Sequence, residues 1–167
     1  MRGILQGFFA TKIGPFTMTA SSNDTQSSAK DFDALVIGAG FAGLYQLHCL
    51  REKLGLSVRV LEAGGGVGGT WYWNRYPGAR CDTESHAYGF SFSDALYHEW
   101  EWSERYPQQP EIVRYINFAA DKLDLKRDIQ FNTRVTGAQW DDDANRWRVQ
   151  TEAGEHYTAQ FLVTAVG

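Results

Sequence analysis

Two stretches of this 167-residue chain carry residue types that could do chemistry. The first is Gly38-Ala39-Gly40-Phe41-Ala42-Gly43, with a lone acid further on at Glu62. Its reagents are backbone amides: Gly38 permits a tight turn, Gly40 lets the main chain approach a pyrophosphate, and Gly43 lets a helix pack closely on a strand. Glu62 follows at the interval expected of an acid that hydrogen-bonds an adenosine ribose. A carboxylate there repels a 2′-phosphate, so the turn suits FAD or NAD in preference to NADP. The second stretch is Gly68-Gly69-Thr70-Trp71-Tyr72-Trp73-Asn74-Arg75-Tyr76-Pro77-Gly78-Ala79-Arg80-Cys81-Asp82. Its paired glycines allow close backbone approach, its aromatics offer flat apolar surface, and Arg75, Arg80 and Asp82 add charge. That mixture suits a large, flat, partly charged cofactor, and FAD is such a molecule.

These groups need a scaffold, and the chain supplies a strand-turn-helix-strand order around them. Residues 32–37 form a short apolar run ending at Gly38, which fits a buried parallel strand. Leu44, Leu47, Leu50 and Leu54 recur at helical spacing and Gly55 follows as a stop, predicting a helix over 41–54. A second strand follows over 57–61, with Glu62 at its tip. Residues 62–82 make a long connection whose aromatics argue against disorder. Residues 88–92 read as a short strand or aromatic turn, and Trp100 and Trp102 as a satellite core beneath a loop. Pro110 and Glu111 open a helix running to about residue 125, with an apolar stripe of Ile112, Tyr115, Ile116, Ala119 and Leu123. Residues 129–135 alternate like a strand. Segments 146–151 and 156–158 flank a turn, and residues 159–167 form a last buried strand stopping at a glycine. The expected fold class is α/β: a Rossmann-like FAD-binding domain, a parallel sheet with helices, carrying a small antiparallel β insertion.

Length and composition narrow the function. The chain suits one domain and is too short for two dinucleotide-binding domains. We expect a disordered extension over 1–31 and the FAD-binding domain over 32–167, truncated at its C-terminal end. Within the extension, residues 1–18 faintly resemble a targeting peptide, but Gln6 and Gly7 break the apolar run. Net charge is −4 with both signs interspersed, which leaves no basic face for nucleic acid. No apolar run approaches the length of a membrane span. Cys49 and Cys81 make neither a disulfide framework nor a metal set, and a reducing, cytoplasmic setting is expected. The four histidines show no zinc spacing with them, so no metal site is expected.

Taken together, the glycine turn, Glu62, the 68–82 run, Trp102-Ser103-Glu104-Arg105-Tyr106 and Gln109-Pro110-Glu111-Ile112 resemble the start of type I Baeyer-Villiger monooxygenases. The resemblance covers residue 32 to the end. It implies FAD, NADPH and dioxygen as cofactors and co-substrate, and a small-molecule ketone converted to an ester or lactone. It places Gly38, Gly40, Ala42 and Gly43 at the FAD pyrophosphate and Glu62 on its ribose. Thr70, Trp71, Tyr72 and Trp73 then line the flavin side, Asp82 and Tyr88 lie near the isoalloxazine, and Val135 meets the adenine end. Arg80, Cys81 and Asp82 meet the nicotinamide cofactor, and Asp82 orients a catalytic arginine from a later segment. Without the resemblance, Asp82 reads as a loop carboxylate paired with Arg80. The family's F-x-G-x-x-x-H-x-x-x-W fingerprint and second dinucleotide turn do not occur in this sequence, so this polypeptide alone is expected to lack oxygenation activity. An N- or S-oxidising flavin monooxygenase fragment and a non-catalytic dinucleotide-binding fragment are the alternatives.

Overall fold

The computed structural model describes residues 29–167. The targeting-like stretch and nearly all of the lead-in expected over 1–31 lie outside the described residues. Strand β1 (Lys30–Ile37) starts two residues ahead of the apolar run, because Lys30 and Asp31 already pair with Tyr157 and Thr158. Helix α1 (Phe41–His48) continues as a π turn over Cys49–Lys53, and Gly55 at φ +67° ends it as expected. Leu44 and Leu47 are fully buried, whereas Leu54 is 64% exposed: the wider π turn rotates it off the core stripe. Strand β2 (Val58–Leu61) then pairs in parallel with β1.

Helices α2 (Thr70–Trp73) and α3 (Asp94–His98) are short, and residues 88–92 form turns rather than a strand. Helix α4 (Gln109–Lys122) carries the expected stripe, with Ile112, Tyr115, Ile116 and Ala119 buried. It stops earlier than its apolar pattern suggests. Asp124 takes φ +49°, and the Arg51 guanidinium donates to the Leu123 and Asp124 carbonyls at 2.8 Å each, tying the end of this helix to that of α1.

The segment expected as one strand over 129–135 is divided. Strand β3 (Ile129–Gln130) pairs with β2, after which Asn132 turns at φ +53°. The amides of Asn132 and Thr133 donate to the carbonyls of Gly64 and Glu62, so the chain crosses the tip of β2 instead of extending. Strands β4 (Val135–Asp141), β5 (Arg146–Thr151) and β6 (His156–Thr164) form a meander.

The antiparallel strands belong to the same sheet as the parallel ones, in the order β3-β2-β1-β6-β5-β4. Residues 156–158 and 159–164, read separately from sequence, are one continuous strand. It pairs antiparallel with β5 and in parallel with β1. Alternation along β1 divides the core. Ala34 and Val36 face the cluster formed with Leu44, Leu47, Ile112 and Ile116, and Leu35 faces Leu61, Val149, Tyr157 and Ala159. Each such fully buried aliphatic side chain contributes about 1.5–3 kcal/mol. No helix among the described residues is long and apolar enough to cross a membrane.

Candidate functional site

The parallel strands β2 and β1 end together, and the chain leaves both through tight turns at that edge. Gly38 sits at φ +100°, and a Cβ there would stand 2.5 Å from the Ala165 carbonyl oxygen. A Cβ on Gly43 would meet the Gly38 carbonyl oxygen at 1.9 Å. Only glycine at both positions allows α1 to begin this close to β1. Gly40 is the N-cap of α1 and makes no side-chain cap, so the positive end of the helix dipole and its free amides are available at the turn.

Glu62 is 5% exposed and points into this turn. One carboxylate oxygen accepts from the Ala39 amide and the other from the Gly64 amide, both at 2.6 Å. An ionised carboxylate has about four lone-pair sites, so two amide bonds leave acceptor capacity for a hydroxyl.

The second stretch lies directly against the first. The Gly68 amide donates to the Ala39 carbonyl at 3.0 Å, and a Cβ on Gly69 would stand 2.9 Å from Gly40 Cα. Between them opens a cavity of about 370 Å³ whose walls come from both stretches and from the chain that crosses β2. Gly38, Gly40, Glu62, Thr70, Trp73 and Val135, all expected from sequence, line it. Gly69, Asn74, Thr133 and Arg134 also line it and carried no individual expectation. The positive-φ Asn132 beside them is the one local signal that the chain turns back here.

The remaining expected residues lie elsewhere. Ala42 is exposed on α1, and Gly43 is buried against Gly38. Trp71 packs against the core, and its indole N–H donates to the Tyr88 hydroxyl at 2.8 Å. Burial pushes the Tyr88 hydroxyl pKa up. Tyr72 takes a hydrogen bond from the Gly65 amide, away from the cavity lining. Cys81 is buried, and its amide donates to the Pro107 carbonyl.

Asp82 is exposed and makes no hydrogen bond or ion pair among the described residues. The pairing with Arg80 that Asp82 would have without the resemblance is absent: Arg80 bridges to Glu104 at 3.1 Å. Trp100 and Trp102 pack on Tyr115, with ring centroids 5.5 and 4.9 Å from it, and join the main core.

The NAD(P)-binding Rossmann-like domain family matches residues 36–101. Over 84% of its length the chain is 54% identical to an acetone monooxygenase (methyl acetate-forming) of Gordonia sp. (strain TY-5), covering 26% of that protein. Over 90% it is 49% identical to a Baeyer-Villiger monooxygenase of Pseudooceanicola batsensis, covering 28%. Over 81% it is 50% identical to a phenazine N-monooxygenase of Lysobacter antibioticus, covering 25%. A solved structure of oxidized steroid monooxygenase bound to NADP superposes with a TM-score of 0.80 at 55% identity, over 83% of this chain and 26% of that one. The chain thus spans about a quarter of the length of the relatives it matches. Over that quarter the chain is similar to Baeyer-Villiger monooxygenases.

Proposed function

We propose that this chain is the FAD-binding portion of an NADPH- and O2-dependent flavin monooxygenase that converts small-molecule ketones to esters or lactones. The observation that carries this reading is the Glu62 carboxylate turned onto the Ala39 amide, beside the uncapped start of α1. A dinucleotide needs both parts, amides for its pyrophosphate and an acceptor for its ribose. The residues present fit FAD: Gly38, Gly40 and the first turn of α1 hold the pyrophosphate, with Gly43 setting their approach. Glu62 holds the adenosine ribose, Val135 faces the adenine, and Thr70 and Trp73 face the flavin.

When bound, the flavin supplies the transfer of electrons from NADPH to dioxygen and of oxygen to the carbonyl. This chain's own residues bind and orient. Asp82, exposed and unpaired among the described residues, is available to hold a cation supplied by another part of the enzyme, the role that orients an active-site arginine. Arg80 and Cys81 flank it on the side assigned to NADPH. Tyr88 and Trp71 hold each other and support the flavin side from behind.

The setting is cytoplasmic, with no nucleic acid or membrane partner. The similarity to a phenazine N-monooxygenase favours nitrogen oxidation as the second reading. The test is titration of the purified 167-residue chain with FAD, followed by turnover of a ketone, a tertiary amine and a thioether with NADPH by the full-length enzyme. Flavin binding by the chain without ketone turnover, and ester from the full-length enzyme, are the expected results. A chain that folds and ignores FAD overturns the assignment, and oxidation of only the amine or thioether moves it to the second reading.

A further inference from the structure

The segment between Glu62 and the glycine pair reads Ala63-Gly64-Gly65-Gly66-Val67, a sequence with almost no side chains to fix its own path. Three glycines in succession carry a high entropic cost of ordering, so something outside the segment must hold it. The structure shows what does. Cβ atoms placed on Gly64, Gly66 and Gly68 would stand 2.8, 3.1 and 3.0 Å from Tyr72, at its Cε1, Cε2 and Cβ. The ring therefore fills the inside of the loop, touching it along both edges, and its hydroxyl accepts from the Gly65 amide at 3.0 Å. The Arg75 guanidinium lies over the ring, 4.7 Å from its centroid, and Arg75 Nε donates to the Tyr72 carbonyl at 2.7 Å.

We propose that Tyr72 is a positioning residue: the ring on which the 64–68 loop is wound, holding the Gly64 amide where it orients the Glu62 carboxylate toward the cofactor ribose. The connection is short. Gly64 donates to one Glu62 oxygen at 2.6 Å, its carbonyl accepts from the Asn132 amide at 3.0 Å, and the next residue along is the one fastened to the Tyr72 hydroxyl. Of the two amides that fix the carboxylate, Ala39 belongs to the rigid strand-to-helix turn. Gly64 belongs to a loop whose one side chain, Val67, is buried in the core three residues further on, so the position of the Gly64 amide itself depends on Tyr72 and Asn132. This inference rests on the FAD reading above, and it gives Tyr72 a role behind the cavity wall.

The test uses the full 167-residue chain with Tyr72→Phe, which keeps the ring and removes only the hydroxyl, and with Glu62→Gln. Tyr72→Phe is expected to weaken FAD binding about threefold to tenfold, the effect of one net hydrogen bond. It is also expected to speed hydrogen exchange at the Gly64 and Gly65 amides while leaving β1 and α4 protected. The loss should disappear for FAD lacking the 2′-hydroxyl of its adenosine ribose. It should also disappear in the Glu62→Gln background, since the two changes act through one contact. Equal FAD affinity in wild type and Tyr72→Phe, or a loss that persists without the ribose hydroxyl or without Glu62, overturns the proposal. A wild-type chain that binds no FAD overturns the functional reading instead, and the exchange rates then still decide whether Tyr72 holds the loop.

Discussion

The two halves of the 68–82 run look equally rich in sequence, yet they do different things. Its first half closes on the glycine turn and walls the strand-end cavity through Gly69, Thr70, Trp73 and Asn74. Its second half, from Arg75 to Asp82, pairs by backbone with residues 107–109 and buries Ala79 and Cys81, while its charged side chains face outward, with Arg80 bridged to Glu104 and Asp82 free among the described residues. The aromatics beyond it, Phe90, Trp100 and Trp102, pack on Tyr115. One half thus walls a cavity within this chain. The other is fastened to the start of α4 and presents charge outward beside an aromatic platform. Density of chemically able residues does not by itself mark a site; the cavity they line does.

The largest expected effect lies on the cavity side. Gly43→Ala puts a methyl 1.9 Å from the Gly38 carbonyl oxygen, and α1 must move away from β1 to admit it. A destabilisation of about 3 kcal/mol or more is expected in urea melts, together with loss of FAD binding. A Gly43→Ala chain that binds FAD normally would break the comparison.

On the platform, Tyr115→Phe leaves the buried Phe90 amide, now bonded at 2.6 Å, without its acceptor. The cost is about 1–3 kcal/mol with FAD affinity retained once folded. The same half is expected to loosen in alkali. Burial raises the hydroxyl pKa values of Tyr88 and Tyr115 above the ordinary tyrosine value. The stability they contribute is full below about pH 10, the unfolded value, and is lost as pH rises through their folded values. Near-ultraviolet circular dichroism of the tryptophans, followed against pH in wild type and Tyr115→Phe, reads this directly. The smallest effect is at Asp82→Asn, expected to shift the stability of this chain by less than about 0.5 kcal/mol while removing turnover from the full-length enzyme. A large destabilisation here would show that Asp82 is paired after all.

The first strand and first helix were legible because their apolar patterns stop at Gly38 and Gly55, and the second strand because its apolar run stops at an acid. Glu62 was legible as that acid, at the tip of β2. The meander was less so. In β6 the alternating His156-Tyr157-Thr158 passes into the continuous Phe161-Leu162-Val163, and the first stretch lies between β5 and β1 whereas the second pairs with β1 alone, with Phe161 49% exposed. A pattern that changes period reads as two elements. Residues 129–135 failed in the opposite way: alternation persists through a positive-φ turn at Asn132, whose cause is the distant Glu62–Gly64 backbone. Tyr72 was expected among the cofactor contacts because its neighbours are. Its direction was set by three glycines that give no periodic signal, and only the folded chain shows which side they wrap.

The place of β6 at the centre of the sheet has a consequence for synthesis. Lys30 waits for Tyr157, and Ile37 for Thr164, so the first strand to leave the ribosome keeps an open edge until the last described strand emerges. At about 5–20 residues per second that wait is on the order of ten seconds. Over that interval an apolar ribbon is free to pair with a neighbouring nascent chain, so the yield of folded protein should fall more steeply with expression rate than for a helical protein of equal size.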